Sequence, residues 1–86
     1  QGLDDALEPF LDRPVAQLDL MERAILRIGA WELLHCPETP FRVVLDECID
    51  LAHRFGATDG HSYVNAVLDK AVRQWRGGEA KPSGQV

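Results

Sequence analysis

Eighty-six residues carrying nine Lys/Arg against fourteen Asp/Glu, for a net charge of −5, make one small domain or part of a larger one. A chain this short cannot enclose two independent cores, because a domain of its size buries only about 60–65% of its surface, and a hydrophobic content of 45% excludes wholesale disorder. The acid excess repels phosphate at long range and excludes an autonomous, charge-driven nucleic-acid binder.

Four helical patterns and no convincing strand follow one another, which predicts an all-α bundle. The first is short, with Leu3, Leu7, Phe10 and Leu11 on one face and Asp4, Asp5, Glu8 and Asp12 off it. Acids in the first turns suit the positive end of the helix dipole, and Pro14 stops any continuation. The second helix opens at Asp19, an N-cap with Glu22 at the capping-box position. It runs to about His35 and ends ahead of Cys36-Pro37. Thr39 caps the third helix with Pro40 at its first position, where a missing N–H costs little. Phe41, Val44, Leu45, Cys48, Leu51, Ala52 and Phe55 form its apolar stripe, and Gly56 stops it. After a loop ending at Asp59-Gly60, with Asp59 as cap, the fourth helix presents Val64, Val67, Leu68, Ala71, Val72 and Trp75. The bundle therefore occupies residues 1–76, and residues 77–86 form a polar tail with nothing to bury.

The second helix breaks the amphipathic rule. Leu26, Ala30 and Leu33 fall on one half of its wheel, while Leu20, Met21, Ala24, Ile28 and Trp31 spread around the other. A helix apolar nearly all round is a central one, and three short neighbours cannot enclose it. Gly29 costs roughly 1 kcal/mol against Ala inside a helix, so it marks a close approach of another backbone or side chain. The chain also opens without an initiator Met, which indicates a processed product or a piece of a longer chain.

Residues 1–50 hold eleven acids and four bases (−7) and residues 51–86 three acids and five bases (+2), so a polyanion should approach the C-terminal third. Cys36 and Cys48 have no CxxC spacing, and there is no secretory leader, so they read as free thiols in a reducing compartment. No apolar run approaches the ~18 residues that span a bilayer. Asp46, Asp50 and His53 share a helix face, a conceivable metal site, but a solvated polar face opposite the stripe is the favoured reading. Neither cysteine has structural-zinc spacing. No nucleophile elbow or phosphate-binding glycine loop is present, so the sequence makes no case for an enzyme or a cofactor.

Two surface clusters remain. Tyr63 lies just outside the apolar stripe of the fourth helix, with Lys70 two turns on and Arg73 on the adjoining side. An accessible aromatic with bases along one edge is the minimal arrangement for stacking a base and holding its phosphates; an ordinary boundary tyrosine is the plainer alternative. On the second helix, Arg23 and Arg27 are like charges one turn apart, unfavourable unless an acid or phosphate stands between them. Pairing with acids of the same domain is the favoured reading, with Arg27 also able to lie over Trp31. In the alternative, Glu22, Arg23 and Arg27 form a charged edge for a protein partner.

The stretch Leu18-Asp19 through Glu22-Arg23-Ala24-Ile25-Leu26-Arg27-Ile28, then Trp31-Glu32-Leu33-Leu34, resembles the C-terminal half of the NusB family of bacterial transcription antitermination factors. The likeness continues through Pro40, Val43-Val44, Ala52 and Phe55-Gly56-Ala57. It closes on Asp59-Gly60-His61-Ser62-Tyr63-Val64-Asn65-Ala66-Val67-Leu68-Asp69-Lys70. The resemblance implies two small helical bundles packed across each other, no cofactor, and a binding activity. Such proteins pair with a small-subunit ribosomal protein, in this role NusE, and bind boxA RNA within the RNA polymerase antitermination complex of ribosomal RNA operons. Carried over, Tyr63 matches the aromatic position near RNA, Asp59 the acidic position beside it, and Glu22 a position facing the ribosomal protein. Asn65 is left structural. The family's arginine-rich N-terminal half has no counterpart here, so this chain alone is expected to bind boxA weakly or undetectably. A NusB-like domain of a ribosomal RNA cytosine methyltransferase is a second reading, disfavoured by the polar tail that follows the fourth helix. A helical dimerisation module, in which a second copy covers the second helix, is a third.

Overall fold

Asp19 starts the central helix as expected: its carboxylate accepts from the backbone N–H groups of Met21 (3.0 Å) and Glu22 (3.4 Å). In this computed structural model, which describes residues 2–55 and 60–77, four α-helices follow in order: α1 (Gly2–Leu7), α2 (Leu20–His35), α3 (Phe41–Phe55) and α4 (Gly60–Trp75). Among the described residues there is no strand. Gly56, Asp59 and residues 78–86 lie outside the described set, so the expected stop, cap and tail fall there.

Two local expectations shift. The first helix ends at Leu7, because Pro9 cannot donate to the helical ladder; Glu8–Phe10 tightens into a 3-10 turn, closed by Leu11 N–H to the Glu8 carbonyl at 3.1 Å. A second 3-10 turn, Val15–Gln17, leads to Asp19. At the start of α3 the cap moves by one: the Pro40 carbonyl accepts from Val43 and Val44, so Pro40 rather than Thr39 is the half-in residue.

The three long helices pack on one another, with Leu26, Ala30, Val44, Cys48, Val64 and Leu68 wholly buried between them. Full burial of each such Leu or Val stabilises by about 1.5–3 kcal/mol. Leu7 joins this core from α1, and Phe10 meets the Trp75 ring edge-to-face at 5.5 Å. Residues 10–13 thus lie alongside α4. Gly29 sits where α2, α3 and α4 meet: a Cβ there would stand 2.9 Å from Leu68 Cδ1 and 3.0 Å from Cys48 Sγ. The close approach read from the sequence is real.

The far side of α2 is uncovered among the described residues. Leu20 is 80% exposed, Trp31 50% and Ile28 46%, although all three are apolar. Leu3, Arg27, Ile28 and Trp31 line a shallow groove along it. No helix of the described residues is long and apolar enough to cross a membrane.

Arg76, just past α4, locks the opposite end of the bundle. Its Nε donates to the Leu33 carbonyl (3.1 Å), Nη2 to those of Glu32 (3.2 Å) and Cys36 (2.8 Å), and Nη1 to that of Thr39. A delocalised cation thereby satisfies carbonyls at the negative end of α2 and fixes the corner into α3.

Candidate nucleic-acid interface

The helical register of α4 carries Tyr63 to the boundary of the buried stripe and leaves Lys70 exposed two turns further on, about 10 Å along the axis. Tyr63 packs against the core with its ring and directs its hydroxyl outward. The hydroxyl donates to Asp12 Oδ1 at 3.1 Å. The Arg13 guanidinium lies over the ring, 4.8 Å from its centroid, and forks onto the same carboxylate through Nε (2.8 Å) and Nη2 (3.1 Å). Aromatic, guanidinium and carboxylate therefore form one cluster on the surface.

Its electrostatics are mutually supporting. The hydrogen bond from Arg13 holds the Asp12 carboxyl below its usual range, and that from Tyr63 adds to the effect. Burial, then the Asp12 hydrogen bond, push the Tyr63 phenol up. Arg13 is held above its ordinary value chiefly by Asp12, with a smaller contribution from Glu22. Glu22 lies against the start of α4: a Cβ at Gly60 would be 3.1 Å from its Oε2. Glu22, Gly60, Tyr63 and Arg13 thus occupy neighbouring positions at the N-terminal end of α4. Farther along, Arg73 is paired with Asp69 at 3.2 Å. Asp59 lies outside the described residues.

Arg23 and Arg27 have a different setting. Both turn to Asp4 of α1, a buried carboxylate: Arg23 Nη2 donates to Oδ2 at 2.9 Å, and Arg27 Nε stands 3.2 Å from Oδ1 in an ion pair off the hydrogen-bond line. The Arg23 hydrogen bond is the main reason the Asp4 carboxyl is held below its ordinary value. This is the internal pairing favoured from the sequence, and it draws Arg27 away from Trp31, whose ring neighbour is instead His35 at 5.5 Å. The arginine side chains remain one-third exposed, 33% and 38%.

The acids of α3 do not assemble into a metal site; among the described residues no three His, Cys, Asp or Glu converge. Asp50 pairs with Arg54 at 3.1 Å. His53 stacks on His61 of α4, with centroids 4.1 Å apart and planes 20° from parallel. Stacked imidazoles direct their lone pairs along parallel planes rather than at one shared ion. Both cysteines are free thiols, and burial pushes the Cys48 thiol up to about 12.

Sequence reading passed over Asp12, Arg13 and Arg76. The first two stand in an aperiodic stretch before Pro14, and their contact with Tyr63 spans 51 positions; Arg76 acts across 37 to 44. No local spacing signals either contact.

The architecture defines the class first: an all-helical bundle whose surface carries ion pairs and an aromatic–guanidinium stack. Residues 1–73 match the NusB family, and the chain belongs to it. It is 60% identical over 77 residues to the transcription antitermination protein NusB of Nitrosococcus oceani, covering 90% of this chain and 52% of that protein. The protein of the same name from Xanthomonas axonopodis pv. citri is 52% identical over 82 residues, 95% of this chain and 52% of its own length. That of Thiobacillus denitrificans is 54% identical over 74 residues, 86% and 51% respectively. The chain spans about half the length of the curated relatives it matches.

Proposed function

We propose that this chain acts by binding, as part of a transcription antitermination factor that pairs with a small-subunit ribosomal protein in the NusE role and engages boxA RNA of ribosomal RNA operons within the RNA polymerase complex. The relatives' shared name supports the antitermination role. The observation that carries the RNA contact is the Tyr63 edge, a half-buried aromatic with Lys70 exposed two turns along the same line of α4. Single-stranded RNA is held by such pairings of a stacking platform with cations that track its phosphates. Asp59, which precedes Gly60 in the sequence, is assigned from the family resemblance alone as the acidic position that tempers RNA binding by repulsion. Glu22, beside Gly60, marks where the ribosomal protein meets the bundle, with the outer parts of Arg23 and Arg27 extending that face. No catalytic step and no cofactor is assigned.

The test is titration of a fluorescent boxA-type RNA at fixed salt with this chain, with the ribosomal protein, and with both. The mixture should bind much more tightly than the partner alone. Tyr63→Ala should then cost roughly 1–3 kcal/mol, the value of one stacked base. A mixture no tighter than the partner alone refutes the reading. A second reading, self-association through α2, is favoured by the exposure of Leu20, Ile28 and Trp31. A concentration-independent monomer mass in sedimentation equilibrium would refute it.

A further inference from the structure

We propose that Arg13 is a further RNA-binding residue, and that Asp12 occupies the place an RNA phosphate takes on it. The inference rests on the RNA-binding reading and extends it to two residues on the approach to α2. Arg13 presents a planar fork, and Asp12 fills that fork with two parallel hydrogen bonds of 2.8 and 3.1 Å. A phosphate matches the same fork with the same geometry. The guanidinium also covers the Tyr63 ring, so the surface a base would stack on is the one Arg13 occupies. Base stacking and release of Arg13 are therefore one event: the guanidinium leaves the carboxylate for a backbone phosphate, and the ring becomes free for the base.

The exchange is easy because the resident pair is weak. Asp12 and Arg13 are adjacent in sequence, and their side chains are 61% and 45% exposed. A pair that open to water holds its partners by little, and salt screens it further. Tyr63 keeps its seat on the core while its hydroxyl gives up one acceptor, which water replaces. Glu22 adds to the negative field around Arg13. A protein partner that engages Glu22 would lower that field and favour the released state, linking the two faces at the start of α4.

The experiment uses the whole 86-residue chain with the ribosomal protein in the NusE role and a fluorescein-labelled boxA-type RNA across a salt series. Wild type, Asp12→Asn, Arg13→Ala, their double variant and Tyr63→Ala are compared, with circular dichroism confirming the helical content of each. Asp12→Asn removes the charge but keeps an acceptor for the tyrosine hydroxyl. It should tighten binding by up to about fivefold. Arg13→Ala should weaken binding and reduce the slope of log K against log salt by about 0.7, one phosphate on a single strand. In the Arg13→Ala background, Asp12→Asn should no longer tighten binding. If Asp12→Asn fails to tighten binding, or tightens it equally without Arg13, or if Arg13→Ala leaves the salt slope unchanged, the inference is overturned while RNA binding through Tyr63 stands. A Tyr63→Ala variant that binds like wild type overturns the underlying reading instead, and a wild-type mixture that binds RNA no more tightly than the ribosomal protein alone overturns both.

Discussion

Replacing Gly29 by Ala tests whether the bundle depends on the close approach at its centre. An added Cβ would lie 2.9 and 3.2 Å from the two Leu68 methyl carbons and 3.0 Å from Cys48 Sγ, all closer than ordinary contact. Leu68 and Cys48 are wholly buried, so neither has open space to retreat into. Forcing a methyl group into packing of this kind costs about 1–3 kcal/mol. Alanine returns up to about 1 kcal/mol of helix propensity. The balance is a net loss of up to about 2 kcal/mol, which lowers Tm by up to roughly 15 °C for a domain of this length. Thermal unfolding followed by circular dichroism at 222 nm reads the shift. Combining Gly29→Ala with Leu68→Ala should cost less than the sum of the single losses, because the second substitution removes two of the three crowding atoms. A Gly29→Ala variant more stable than wild type would show that the helices separate freely and that the glycine is not a packing requirement.

Arg76→Ala should cost about 2–4 kcal/mol by leaving carbonyls at the end of α2 without their charged donor, and Arg76→Lys should recover only part, since an ammonium lacks the planar fork; urea unfolding at neutral pH measures both. Asp4→Asn should lose about 1–3 kcal/mol at pH 7, because two arginines then face a neutral amide. Since folding depresses the Asp4 carboxyl below 3.8, its contribution is fully present above that value and is lost as pH falls through the folded one. Stability curves of wild type and Asp4→Asn should therefore converge below about pH 4, and a constant gap down to about pH 2 would refute the assignment. Ile28→Ser with Trp31→Ser should change Tm little, both side chains being half-exposed, yet abolish any concentration-dependent association seen by sedimentation.

The helices were legible because their signals are local. The Asp19 cap, the apolar stripes of α3 and α4, and the two-sided pattern of α2 each follow from spacing within one element. Gly29 was legible too, as a residue too costly for a helix interior unless something approaches. Pro9 was a missed local signal: the apolar spacing of Leu3, Leu7 and Phe10 persists through a 3-10 turn, so periodicity concealed the break. The Thr39 cap failed by one position because a proline carbonyl serves the first turn as well as any other. The surface was less legible, for a different reason. Spacing placed Tyr63 and Lys70 on one line of α4, but what lies over the ring depends on where the chain around Pro14 returns. The Arg23–Asp4–Arg27 arrangement was half-readable: like charges one turn apart demand an acid, but no rule of spacing selects Asp4 among so many.

Arg76 also bears on the order in which the molecule is completed. Its partners, the carbonyls of Glu32, Leu33, Cys36 and Thr39, leave the ribosome some forty residues before it does. Until the end of α4 docks, the corner between α2 and α3 has only its own backbone hydrogen bonds, Cys36 N–H to the Glu32 carbonyl and Thr39 N–H to the Cys36 carbonyl, and water. The turn is thus fastened from a distance by a residue synthesised after all four helices, and a nascent chain stopped short of position 76 holds those helices around a corner that lacks this fastening.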